Sequence, residues 1–241
     1  MSAVEKQRTV GQMVAERPAR ARVFEELGID YCCGGKKPLD DACEARGLDV
    51  DAVVRALVET DAAPQAEEAD WTQAPISHLT DHIVRKHHDY LRQELPRLQG
   101  LVEKVVRAHS AKHPEVIELQ QVFLGLSAEL KAHLMKEEQV LFPMCVQMEA
   151  THSLSHSHCG SVSNPVRVME MEHDNAGAAL ARIREITQDY TPPADACNTF
   201  RVMLDGLRDL EVDLHQHIHK ENNILHPRVI ALEHRILGDQ S

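Results

Sequence analysis

"HLMKEEQVLFP" runs from His133 to Pro143, and "HIHKENNILHP" repeats its outline 84 residues later, from His217 to Pro227. Each string has a His, then Lys-Glu four residues into the motif, an aliphatic pair and a Pro. Side chains four apart on an α-helix lie one above the other. His133 therefore sits over Glu137, and His217 over Glu221.

Both strings interrupt long apolar stripes. Leu119, Phe123, Leu126, Leu130, His133, Glu137, Val140 and Met144 follow one another at steps of three or four, as do Phe200, Met203, Leu207, Leu210, Leu214, His217, Glu221 and Ile224. Val84, His88, Leu91 and Leu95 make a shorter stripe, and Val166, Met169, His173, Ala176, Leu180 and Ile183 a fourth. That period marks amphipathic helices. "GLVEKVVRAHSAKHPE", "EATHSLSHSHCGSVSNP" and "YTPPADA" separate them, so each helix turns back on the last. The expected fold is all-α, an up-down-up-down four-helix bundle over residues 76–241. Ahead of it, residues 1–62 hold two amphipathic helical patterns around "GIDYCCGGKKPLD", a small helical N-terminal domain, and the acidic, Ala- and Pro-containing residues 63–75 form a linker.

The repeat extends beyond the two strings. His88 precedes Asp89 and lies 45 residues before His133; His173 precedes Asp174 and lies 44 before His217. Two helical hairpins thus bring His88, His133, Glu137, His173, His217 and Glu221 to one level of the core. An unpaired ionised carboxylate in an apolar interior costs at least several kcal/mol, roughly, so Glu137 and Glu221 need cations beside them. For one such residue alone, a solvated place at the edge of its stripe is the simpler reading. The repetition of the whole set in register favours a pair of metal ions bridged by the carboxylates. A closed zinc site rarely needs so many ligands and no Cys falls on the stripes, so iron is favoured and manganese comes second. A ferritin-like arrangement, with Glu-x-x-His on two helices, competes through Glu170–His173 and Glu149–His152, but the latter lies at a helix end outside the core register.

Composition agrees with metal chemistry: 16 His stand against eight aromatic residues in 241. The net charge of −12 argues against nucleic acid or an anionic membrane as partner. No segment is apolar enough to span a bilayer. "MSAVEKQRTVGQMV" lacks the apolar core of a secretory signal, which makes a cytoplasmic location the expectation and the six Cys thiols.

Cys32 and Cys33 follow a helical pattern and precede Gly34 and Gly35, which permit a tight, exposed turn. With Lys36 and Lys37 beside them, an exposed pair would deprotonate readily and serve as reductant, iron relay or nitrosylation site. Cys43, Cys145 and Cys197 read as packing residues. His152, His156, His158 and Cys159 lie in a Ser-rich connection open to transient metal contact. His78, His82 and His87 read as surface residues of the first helix, and His215 and His219 as pointing away from the centre.

"HHDYL", "HLMKEEQVLFP", "MEHDNAG" and "HIHKENNILHP" resemble the hemerythrin-like bundle of the di-iron proteins for repair of iron centres, and "GIDYCCGG" resembles their N-terminal, ScdA-type Cys domain. The resemblance covers nearly the whole chain. It implies a cytoplasmic bacterial protein that repairs iron-sulfur clusters damaged by nitrosative or oxidative stress, using a non-haem, oxo-bridged di-iron centre. Its implied metal ligands are His88, His133, Glu137, His173, His217 and Glu221. Its implied partners are damaged iron-sulfur proteins and nitric oxide or dioxygen, with a homodimer allowed. A hemerythrin-like dioxygen or nitric oxide sensor or carrier, or a nitric oxide reductase, is the alternative. His226 departs from the pattern, which usually has Phe there.

Overall fold

The structure, a computed structural model, describes residues 7–62, 69–153 and 160–238. Short helices α1 (Val10–Glu16), α2 (Arg20–Glu26), α3 (Leu39–Glu44) and α4 (Val50–Ala62) form the N-terminal part. Sequence patterning merges α1 with α2. Pro18 separates them, because its ring fixes φ and removes an N–H that a continuous helix would need. Thr9 caps α1 through its Oγ1, which accepts from the Gln12 N–H at 3.3 Å. Arg20 of α2 donates from Nε to Asp61 of α4 at 3.0 Å, joining the two around a core of Val10, Met13, Phe24, Tyr31, Leu39 and Leu57.

Four long helical columns follow. The first is α5 (Ile76–Ile83), a π turn at Val84–His88, and α6 (Asp89–His109). The second is α7 (Glu115–Lys136), a π turn at Glu137–Leu141, and α8 (Phe142–Thr151). The third, α9 (Ser163–Ile186), is uninterrupted. The fourth is α10 (Asn198–Lys220), a π turn at Glu221–Leu225, and α11 (His226–Gly238). The first column packs on the second and fourth, and the second on the third. Helix α6 continues to His109, through much of the stretch from Gly100 that its sequence suggests is a connection. Among the described residues no helix is long and apolar enough to cross a membrane.

The π turns explain the Pro of the repeated string. The Phe142 N–H bonds back to the Glu137 carbonyl, and the His226 N–H to the Glu221 carbonyl, five residues away in each case. The helix resumes one residue before Pro143 or Pro227, so each Pro, which has no N–H to donate, follows directly on the wide turn. The extra residue also slips the register. Val140, expected inside, is 43 % exposed and Leu141 takes its place. Val84 is likewise only half-buried while Ile83 is fully covered.

The bundle core is divided. Leu91 to Leu134 and Ala176 to Leu214 supply one apolar cluster; Ile76 to Ile83, Leu141 to Met148, Val162 to Met169 and Ile224 to Ile236 supply the other. Between them lies a layer of buried His and Glu side chains.

Candidate metal centre

All six residues singled out by the stripes are buried, and they face one another. His88, Glu137, His217 and Glu221 form one cluster of donor atoms; His133, Glu137, His173 and Glu221 form a second. His88 Nε2 lies 3.2 Å from His217 Nε2, and His133 Nε2 lies 3.1 Å from His173 Nε2. Those spacings suit two imidazoles on neighbouring positions of one ion, with metal–nitrogen bonds of about 2.1 Å.

Each carboxylate spans both clusters. Glu137 Oε2 is 3.3 Å from His88 Nε2 and its Oε1 is 3.2 Å from His133 Nε2. Glu221 Oε1 is 3.0 Å from His217 Nε2 and its Oε2 is 3.1 Å from His173 Nε2. Yet both Glu137 oxygens and Glu221 Oε2 are buried without an aligned hydrogen-bond donor among the described residues. A fully buried carboxylate in that condition is costly, and a cation between the imidazole pairs satisfies it. The donor set therefore fits a pair of metal ions bridged by two carboxylates.

The far sides of the imidazoles are held. His88 Nδ1 donates to Glu138 Oε1 at 2.6 Å, His133 Nδ1 to Glu172 Oε2 at 2.9 Å, and His173 Nδ1 to Asn222 Oδ1 at 2.8 Å. A proton on Nδ1 leaves the Nε2 lone pair for a metal, and such partners also fix the ring plane. Glu138 and Asn222 stand 84 residues apart, at matching places in the repeat. His217 has no Nδ1 partner among the described residues. Its ring instead lies flat against His87, with centroids 5.2 Å apart and planes 2° apart.

Electrostatics tie the layer together. Burial is the largest influence on His133 and acts to lower it, but Glu137 overcomes burial and pushes it up to about 9. Burial acts to raise Glu221, yet His217 and His173 hold it well below the usual carboxylate range. The imidazoles thus hold both carboxylates in the ionised form.

Several expectations need correction. His87 is buried rather than superficial: its Nδ1 donates to Asp213 at 2.9 Å and its Nε2 accepts from Lys220 Nζ at 3.1 Å. His87 and His88 close the π turn at Val84–His88, whose extra residue sets both on inward faces. His219 does point away from the centre, as its sequence position suggests, and is buried against Tyr31 of the N-terminal part, 5.5 Å between centroids. Glu149 accepts from the Ile76 and Ser77 N–H groups at 2.7 and 3.1 Å, a helix-capping role, and Glu170 pairs with Lys36 at 2.9 Å. The ferritin-like alternative loses both carboxylates. Cys43 and Cys145 are buried as packing residues, whereas Cys197 is exposed, 3.1 Å from His109 Nε2. His156, His158 and Cys159 lie outside the described residues.

Cys32 and Cys33 are not on an exposed turn. Cys32 is buried, Cys33 is half-buried, and their sulfurs are 4.0 Å apart. The Cys33 thiol donates to the His173 carbonyl at 3.5 Å, which places it against the backbone of a candidate ligand. Sharing a hydrogen bond with Cys33, burial and the Asp30 carboxylate all push the Cys32 thiol well above its ordinary range. The loop is pinned by Asn223, whose Nδ2 donates to the carbonyls of Tyr31 and Cys32 at 3.2 and 3.1 Å. Gly11 and Gly35 allow that approach: a Cβ on either would come within 2.3 or 2.4 Å of Asn223 Oδ1.

Comparison with known proteins agrees with this layout. Residues 79–229 match the hemerythrin HHE cation binding domain, and residues 6–61 match ScdA_N, a domain of unknown function. The iron-sulfur cluster repair protein YtfE of Enterobacter sp. (strain 638) is 39 % identical over 224 residues, covering 93 % of this chain and 97 % of that protein. The protein of the same name from Escherichia coli O81 (strain ED1a) is 39 % identical, and that from Escherichia fergusonii 38 %, each with the same coverage.

Proposed function

The chain belongs to the family of the iron-sulfur cluster repair proteins YtfE, through its hemerythrin HHE domain, and from that premise we propose that it repairs iron-sulfur clusters damaged by nitrosative or oxidative stress. We assign His88, His133, Glu137, His173, His217 and Glu221 as ligands of two non-haem iron ions. The observation that carries this assignment is the pair of buried carboxylates, each with one oxygen toward either imidazole pair and three of the four oxygens without an aligned donor. Bound there, the iron pair supplies exchangeable ferrous ion and a redox couple.

The protein's own groups do the rest. Glu138, Glu172 and Asn222 orient three imidazoles, and the two apolar clusters exclude bulk water from above and below. Four protein donors per ion leave positions open for further ligands. A cavity of about 20 Å³ between His133, His173, His217 and apolar Leu126, Leu130, Ala176 and Leu214 suits a diatomic molecule such as nitric oxide or dioxygen. That cavity favours gas binding as a second reading. A simple carrier, however, gives no reason to place a thiol on the backbone of His173. Damaged iron-sulfur proteins of the cytoplasm are the proposed partners.

The test is delivery. Protein loaded with ⁵⁷Fe(II) and incubated with a nitric-oxide-damaged cluster protein should pass label into the rebuilt cluster. Rebuilding that draws no label from the loaded protein would exclude iron donation and leave electron delivery or gas binding.

A further inference from the structure

The two halves of the centre have unlike walls. Phe142 lies over His88, centroids 5.7 Å and planes 23° apart. Eighty-four residues on, His226 lies over His173 in the same manner, at 6.0 Å and 9°. Each begins the helix after a π turn, so the fold puts them in equivalent places. One is hydrocarbon and the other an imidazole.

His226 is fully buried, and neither ring nitrogen has a hydrogen-bond partner among the described residues. Glu170 Oε1 lies 4.0 Å from Nδ1, beyond hydrogen-bond reach. The Glu170 side chain is 30 % exposed and holds Lys36 at 2.9 Å, so it connects this wall with solvent. Three residues before His88, where Glu170 stands relative to His173, the chain has Arg85, paired with Asp81 at 3.0 Å. A cation moving outward past His226 meets a lone pair and then a carboxylate. A cation moving past Phe142 meets an apolar ring, where shedding or keeping its water is unfavourable.

Resting on the two-metal reading above, we propose that the half-sites exchange metal unequally: the ion held by His133 and His173 enters and leaves past His226 and Glu170, while the ion held by His88 and His217 is retained. The unsatisfied imidazole lowers the barrier by offering the departing ion, or its hydration water, a partner inside the wall. The same half-site carries Cys33 on the His173 carbonyl, so the exchanging ion is the one beside the thiols.

Chelator kinetics on the full chain test this. Protein loaded anaerobically with two ferrous ions and mixed with excess ferrous chelator should release them in two equal phases. His226→Phe should slow the faster phase roughly tenfold and spare the slower one. Phe142→His should instead speed the slower phase. Glu170→Gln, a partly exposed change that leaves the wall intact, should slow the faster phase and guards against a folding defect in the wall variants. Release of both ions in one phase by the wild type, or two phases that neither His226→Phe nor Glu170→Gln alters, would overturn the proposal. Loading of only one ion per chain would instead refute the two-metal reading beneath it.

Discussion

Asn222 and Asn223 are consecutive residues of one π turn and hold different parts of the molecule: Asn222 Oδ1 accepts from His173 Nδ1 at 2.8 Å, and Asn223 Nδ2 donates to the Cys32 carbonyl at 3.1 Å. The turn that carries Glu221 therefore also orients a second candidate ligand and docks the thiol loop. A π turn in an otherwise regular helix is common at functional sites, and here it displays successive side chains on divergent faces.

Asn223→Ala should loosen the loop without touching a candidate ligand. Two hydrogen bonds to partly buried backbone carbonyls are lost, about 1 kcal/mol each. Alkylation of Cys33, followed by mass spectrometry, should accelerate severalfold while metal content stays the same. An unchanged rate would show that Lys36–Glu170 and the apolar contacts suffice for docking.

The thiols should also differ in pH response. Cys32 is pushed well above the ordinary thiol range by its hydrogen bond with Cys33, by burial and by Asp30. Raising an acid's pKa favours its neutral form, and thiolate is the nucleophile. At neutral pH, labelling should spare Cys32 and take the exposed Cys197 first. Cys32 should react only at pH well above the usual thiol pKa, or after unfolding. Rapid neutral labelling of Cys32 would contradict the docked arrangement.

Outside the buried His and Glu layer, Glu211 is 3 % exposed and paired with Arg184, which also lies 5.5 Å from the ring centre of buried Tyr190. Arg184→Ala strands the carboxylate and should cost about 3 kcal/mol by denaturant melts. Replacing both, as Arg184→Ala with Glu211→Leu, should recover much of the loss. Equal destabilisation in the single and double variants would mean that packing on Tyr190 matters more than charge.

Much of this molecule was legible in the chain, and the reason is periodicity. The buried layer of His and Glu could be found because His133, Glu137, His217 and Glu221 sit at the helical step within apolar stripes. The π turns could not, since a stripe with steps of three and four runs on smoothly from Glu137 to Val140 even though the extra residue turns Val140 outward. Buried His87 was hidden by the same slip. The Cys loop was misjudged for a different reason. Local composition, two Gly and two Lys, suggests exposure, whereas Asn223, 191 residues after Cys32, fixes its position, and nothing in the local sequence carries that contact.

Removing the N-terminal part tests the division of labour. A fragment of residues 70–241 keeps every candidate ligand and both bundle clusters, so it should fold and bind metal. It loses the cover over His219 and the His173 backbone. Chelator should reach its metal faster than in the full chain. A helical fragment unable to bind metal would show that the N-terminal part contributes to the site itself.

The most direct measurement is metal content with Mössbauer spectroscopy on protein reconstituted with ⁵⁷Fe. Two irons per chain, coupled and bound by nitrogen and oxygen alone, are predicted for the wild type, with content falling in Glu137→Ala and Glu221→Ala and lost in the double variant. Full loading of that double variant, a single iron per chain, or a sulfur ligand from Cys32 or Cys33 would contradict the dinuclear centre.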